Sequence, residues 1–432
     1  MRSWKSILLL LAGTFSMTQI RIVGFIGITE VVLFFLAPFV FIKNQKLLRR
    51  HGFMRVLVLA VLWVCSALIT DWYRQNTFEN LLKGVAVPYA VFAGIVCMHA
   101  LLWDDLKRFK WAVVGMALST VLSIYVFPTG TSVGMGEKLG LTAEEAFKEY
   151  KLFGVIIAGT FLTLPIKVFY LKISKYVSAG LLILLAVYSL YAGGRSIFLI
   201  RLLSAWIIFL GGRNVQSMKT THRSFVPVAL SLAIIVILAT QLYRGLAQKG
   251  ALGEDELLKY EQQSSSRIGL LSGRSEFISA LWAIKDSPLI GHGAWAIDYR
   301  GYLLRTVELI GTPEDVETVM NRYASGHYTL IPGHSYVWQS WVYSGAAGGI
   351  FWIYIFFFVF VKTFRSYMGV VPYLFGYFAI SLPVEFWNVW FSPLGQRLEV
   401  SMLIVLCLLV MKLGQTRKNP LDLQKHGGLP AQ

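Results

Sequence analysis

Long apolar runs that follow one another from end to end are the feature that most limits this chain. They fall at about 6–20, 22–42, 56–70, 81–102, 111–127, 152–171, 176–192, 196–211, 225–242, 336–361, 370–391 and 397–411. A membrane-crossing helix needs about 20 mostly apolar residues. The runs are continuous, not alternating, which excludes a closed β-barrel. Only 15% of the 432 residues are charged, against about a quarter in soluble domains, so a soluble fold is excluded too. The sequence predicts an all-α polytopic membrane protein of about twelve transmembrane helices.

The net charge of +17 would suggest nucleic acid if it were spread over a soluble surface. Its distribution points elsewhere. With the N-terminus in the cytoplasm, the inside segments lie around Lys5, Lys43–Arg55, Trp103–Lys110, Lys167–Lys175, Gly212–Ser224, Lys362–Met368 and Lys412–Gln432. They hold 22 of the 40 Lys and Arg and only three acids, Asp104, Asp105 and Asp422, for a charge of +19. The rest of the chain carries −2. This is the positive-inside asymmetry, and it places both termini in the cytoplasm. Arg2 and Lys5 ahead of an apolar run also resemble a signal peptide, but a second span follows at once, so an uncleaved first helix is expected. Cys65, Cys97 and Cys407 all fall within spans and read as structural apolar cysteines.

Four regions follow: residues 1–242 with spans one to nine, a large outer loop at 243–335, spans ten to twelve at 336–413, and a basic tail at 414–432. The loop holds nine Lys and Arg, eleven Asp and Glu, and three of the seven histidines. Loops this long within compact proteins are usually functional. The sequence predicts helices over Arg267–Lys285, Asp298–Ile310 and from Pro313 to Arg322. A tight bend is expected at Gly291 and Gly293, and a turn at Gly311-Thr312-Pro313. A shorter outer segment, Phe127–Tyr150, ends in a capping-box pattern at Thr142.

Polar groups near the outer ends of spans are the candidates for chemistry. Arg195, in Gly193-Gly194-Arg195-Ser196, falls between spans seven and eight. Arginine suits bidentate phosphate recognition; a snorkelling arginine at a span end is the competing reading. Arg274 stands near the start of the first loop helix, where backbone N–H groups favour an anion; pairing with Glu276 is the alternative. His334 precedes span ten and is expected at its outer N-terminus. The positive helix end favours a neutral ring there, able to accept a proton, and a capping or headgroup-anchoring histidine is the other reading. No histidine spacing suggests a metal, and neither a Walker loop, a GxSxG nor a dinucleotide fingerprint occurs. Glu30, Glu385 and Asn388 fall inside spans, where structural bonds between helices are expected.

Taken together, Gly-Gly-Arg195-Ser, Gly-Arg274, Pro288-Leu-Ile-Gly-His-Gly293, Gly333-His334-Ser-Tyr and the following Gly345, Gly348 and Gly349 resemble a bacterial family. It comprises O-antigen ligases, Wzy-type polysaccharide polymerases and protein O-oligosaccharyltransferases. The matching stretch covers about residues 180–365. The resemblance implies a GT-C-like membrane glycosyltransferase of the bacterial inner membrane, with a periplasmic, metal-independent and cofactor-free active site. The donor would be a glycan on undecaprenyl diphosphate, and transfer would invert the anomeric centre. By the family pattern Arg195 and Arg274 map onto the arginines that hold the diphosphate, and His334 onto the histidine facing the acceptor hydroxyl. Arg267, Arg300, His327 and Tyr336 are auxiliary candidates.

The slightly acidic loop favours a polymerase, whose acceptor is another lipid-linked repeat unit, over a ligase serving the phosphate-rich lipid A core. A chain-length regulator is a possible partner, and nucleic acid is not. From another class, a transporter or flippase also fits twelve spans, although transporters place polar groups near mid-membrane.

Overall fold

The computed structural model describes residues 4–21, 25–123, 151–211, 237–238, 240–252, 257, 260–261, 276–395 and 397–418. The predicted capping box at Thr142, most of the span at 225–242 and the first part of the helix at Arg267–Lys285 lie outside these residues. What is described is helical apart from one short hairpin and a β-bridge. Six helices among the described residues are long and apolar enough to cross a membrane, and two shorter ones are comparably apolar. The chain is a multi-pass membrane protein.

The first half is a succession of antiparallel helices: α1 (Trp4–Thr14), α2 (Ile28–Arg50), α3 (Met54–Tyr73), α4 (Phe78–Leu102) and α5 (Phe109–Val121). Next come α6 (Lys151–Phe169), α7 (Lys175–Tyr191) and α8 (Arg195–Gly211). A two-stranded antiparallel hairpin, β1 (Gln19–Arg21) with β2 (Phe25–Gly27), separates α1 from α2. The span expected to begin at residue 22 therefore begins at Ile28. Gly27 precedes it with extended backbone, and its N–H donates to the Glu30 carboxylate at 3.2 Å.

Charged residues at the helix ends pair locally. At one end of the bundle Lys5 and Arg108 both reach Asp104, at 3.0 and 2.7 Å. One of the few acids of the predicted inside segments thus joins α1 to the α4–α5 turn. Deeper in, Arg397 grips Glu30 with two bonds of 2.6 and 2.7 Å. That pair ties α2 to α16 (Arg397–Lys418), the most enclosed helix, whose residues Met402 to Cys407 are all fully buried. Ser401 donates to the Val91 carbonyl in the middle of α4, so α16 begins well inside the bundle. Cys97 and Cys407 are buried and Cys65 is exposed; all three are free thiols.

In the loop region lie α9 (Glu276–Asp286), α10 (Tyr302–Ile310) and α11 (Pro313–Ala324). Asp298 does not start α10, as the sequence suggested, but caps it. Its carboxylate accepts the N–H groups of Tyr302 and Leu303 and the hydroxyl of Tyr323, at 2.7 to 2.9 Å. Thr312 and Asp315 form the capping box of α11. The bend at Gly291 and Gly293 is present, both with positive φ. It is stapled to the end of α3: Arg74 donates to the Gly291 carbonyl and Ser287 hydroxyl, Thr70 to the Ile290 carbonyl, and the Ala294 N–H donates to Asp71.

The last elements are α12 (Tyr336–Ser344), α13 (Ala346–Tyr354), a π-helical stretch Ile355–Val361, α14 (Lys362–Ser366), α15 (Phe375–Phe391) and α16. The expected continuous span at 336–361 is broken at Gly345 and folded back on itself. Tyr336 and Trp352 would lie about 24 Å apart in one straight helix, yet their rings are 4.7 Å apart. The Trp352 indole donates to the Ser340 hydroxyl at 3.1 Å. Small residues permit this closure. A β-carbon at Gly348 would meet the Ser340 carbonyl at 2.4 Å, and one at Gly349 the Trp341 ring at 2.2 Å.

Two predictions follow from this region. Gly345 has φ +65, and a β-carbon there would meet the Leu289 carbonyl oxygen at 2.0 Å. Gly345→Ala should cost roughly 3 kcal/mol through backbone strain and overlap, read as a lower Tm of the purified protein. Gly180→Ala, in open space on α7, should not lower it.

His292 supplies the second. Its ring Nε2 lies 2.8 Å from the Ala283 carbonyl. Burial pushes its pKa below the ordinary range against the pull of that carbonyl, helped by Arg74 and Arg300. The folded state therefore favours the neutral ring. Its contribution is complete above the unfolded value of about 6.5 and is lost as pH falls toward the lower folded value. The Tm of the parent should fall relative to His292→Gln below about pH 6.5; parallel Tm profiles would reject this.

Candidate functional site

Arg195 is placed by the glycine pair in front of it. The α7 helix ends in a turn in which Gly194 N–H donates to the Ser189 carbonyl at 2.8 Å and Gly193 N–H to Leu190 at 3.1 Å. Gly193 takes positive φ, the left-handed conformation that ends many helices. The chain turns at once into α8 with Arg195 as its first residue. The guanidinium lies 4.9 Å from the centre of the Tyr243 ring, an attraction worth about 0.5–2 kcal/mol. Tyr243 belongs to a small cluster with Ala186, Leu190, Phe198, Ala247 and Tyr260. Arg195 thus ties the α7–α8 turn to the helical residues 240–248.

His334 lies in the non-helical segment that enters α12. Ser335 caps that helix, its hydroxyl accepting the Trp338 N–H at 2.8 Å. The His334 side chain is exposed, with no hydrogen-bond partner among the described residues. The helix it precedes differs from the expectation. Tyr336, two residues on, is buried beside Trp352 and faces Glu385 and Asn388 within α15. The other end of α12 meets the loop, where the Trp341 indole donates to the Pro288 carbonyl at 2.8 Å. The short helix therefore rises from the interior toward the loop. His334 precedes a helical hairpin folded back at Gly345, not one continuous helix over 336–361.

Between α5, α6, α7, α8, α15 and the start of α16 is a cavity of about 470 Å³. Its polar lining includes Thr120, Thr160, Ser196, Arg201, Asn388 and the Lys167–Glu399 pair, which closes at 3.3 Å. Two members connect it to the predicted residues. Ser196 follows Arg195, and Asn388 faces Tyr336. Neither Arg195 nor His334 lines it. Arg274 and Arg267 lie outside the described residues.

The auxiliary candidates have local partners. Arg300 pairs with Asp286 at 3.2 Å, and the Tyr302 hydroxyl donates to the same carboxylate. Burial nudges the Asp286 pKa upward, but these bonds prevail and hold it below the ordinary carboxylate range. The His327 ring bonds the Ser325 hydroxyl at the end of α11. The Tyr336 ring packs in the core. Glu30 and Asn388 join helices as expected, Glu30 through a full ion pair.

Arg201 was not singled out by sequence. It sits within the apolar run RSIFLIRLLSAWIIFLG, where one charge does not break a span pattern. Its mid-helix position was the available signal, since ionisable residues inside spans usually face the protein interior. With this geometry in place, comparison with known proteins adds no relative: no protein-family profile and no curated protein matches the chain.

Proposed function

We propose that the chain is a membrane glycosyltransferase that joins glycan repeat units carried on undecaprenyl diphosphate, acting at the periplasmic face of the bacterial inner membrane. The observation that carries the reading is that one motif lines a cavity and a second stands one contact away from it. Ser196, from the Gly-Gly-Arg-Ser turn, and Asn388, which faces Tyr336 of the Gly-His-Ser-Tyr segment, line the same cavity.

The chemistry suits such a reaction. The acceptor hydroxyl attacks the anomeric carbon as the bond to the diphosphate breaks, so negative charge grows on the leaving oxygens. Guanidinium groups at that position stabilise the transition state more than the ground state. A neutral imidazole takes or orients the acceptor proton. Arg195 and Arg274 are assigned to the diphosphate and His334 to the acceptor. The slightly acidic loop favours a second lipid-linked repeat unit as acceptor, hence a polymerase, over the phosphate-rich lipid A core of a ligase.

One observation favours a second reading. Broken membrane helices are a device of transporters, and the break at Gly345 interrupts the apolar run at 336–361. The two readings separate in one assay. Purified protein in vesicles, given lipid-linked repeat unit, should form new glycosidic bonds; movement of that lipid across the bilayer without new bonds would refute the transferase.

Within the assay, Arg195→Ala, Arg274→Ala and His334→Ala should each lower turnover by about 100-fold or more at normal protein levels. Full turnover in all three would remove the assignment. A glycan ladder on undecaprenyl diphosphate identifies a polymerase, and glycan on lipid A core a ligase.

A further inference from the structure

Arg201 is a cation inside the helix bundle with no counter-charge among the described residues. Its Nη1 donates to the Leu185 carbonyl at 2.9 Å and to the Ser189 hydroxyl, and its Nη2 donates to the Val155 carbonyl at 3.1 Å. These bonds hold the group across α6, α7 and α8 without neutralising it. Gly159 makes room, since a β-carbon there would lie 2.0 Å from Nη2. Among the described residues no carboxylate lies within ion-pair reach of Arg201, and Nε carries no bond.

The surroundings define what would complete it. Lys167 and Glu399 neutralise each other at 3.3 Å, so among the described lining residues Arg201 is the one unbalanced positive charge. Glu385 lies on the Tyr336 side of Asn388 and does not line it. Among the described residues the hydroxyls of Thr160 and Ser196 have no hydrogen-bond partner and are available as donors. Thr120, Thr163 and Ser204 donate to carbonyls of their own helices. The remaining wall is hydrocarbon, including Val113, Met116, Ile156, Leu164, Ile197 and Ile200. A volume of about 470 Å³ holds a headgroup and several carbons. An uncompensated charge in an apolar bundle is costly, and arginine with hydroxyl donors matches phosphate oxygens.

We propose that this cavity binds the phosphate headgroup of a membrane lipid, with Arg201 as its charge partner and the apolar wall receiving the first carbons of the chain. The proposal concerns the same cavity but a residue, Arg201, outside the roles assigned to Arg195, Arg274 and His334. It rests on the membrane character of the chain and not on glycosyl transfer.

The test is binding to the full-length protein in neutral maltoside detergent, by isothermal titration, with dodecyl phosphate, dodecanol and inorganic phosphate as probes. Dodecyl phosphate should bind, and the other two should bind at least about tenfold more weakly. Arg201→Gln should weaken dodecyl phosphate by about tenfold or more. Because Arg201 also bridges three helices, Thr160→Leu serves as the second variant. It fills the cavity without touching the bonds of Arg201 and should weaken binding similarly. Dodecanol binding as well as dodecyl phosphate would overturn the charge argument. Inorganic phosphate binding as well would overturn the lipid assignment, and parent affinity in Thr160→Leu would overturn the location. Dodecyl phosphate binding by a parent protein that forms no glycosidic bonds would refute the transferase and leave this site standing, so the two failures are read separately.

Discussion

Polar groups enclosed in an apolar bundle must find partners within it, and the Arg397–Glu30 pair is where this protein meets that demand most fully. Both side chains are largely withdrawn from solvent, and two short bonds satisfy the guanidinium fork and both carboxylate oxygens. Removing either partner would strand a charge, which costs far more than the intact pair contributes. The pair fixes the first turn of α16 against α2. Ser401 on α4 and Glu399 on Lys167 then follow from the same helix. The central helix is thus seated by polar contacts near its start and held by continuous apolar packing along the rest.

Much of the architecture was legible because the forces behind it leave local marks. Apolar runs marked the helices, and basic residues gathered at one set of turns. The loop elements were readable from glycine and proline: Gly291 and Gly293 bend, Thr312 caps, and Pro313 opens α11. Asp298 was misplaced by one turn, because a capping aspartate and a first-turn aspartate look alike until its bonds to Tyr302, Leu303 and Tyr323 are known.

The helical hairpin was not legible for a stronger reason. The sequence on both sides of Gly345 is largely apolar and aromatic, so a straight helix and a folded one share the same pattern. What separates them is the close approach at Gly348 and Gly349, a long-range property. Arg195 was readable from its glycine turn. The setting of His334 was not, because it depends on where α12 folds back on α13, which the surrounding residues do not encode.

The same hairpin explains how residues outside regular helix can hold a fixed place. Backbone that leaves helical bonding at depth is tolerated only where protein or a water-filled cavity satisfies it. Here the Ile331 N–H donates to the Ala296 carbonyl and the Ser335 N–H to Gly333, while Gly345 presses on Leu289. The 287–294 bend is in turn bonded to Thr70, Asp71 and Arg74 at the end of α3. His334 is therefore carried by a segment braced from two sides, by the loop above and the bundle beside it. The brace acts on the backbone; the side chain itself is exposed and has no hydrogen-bond partner among the described residues.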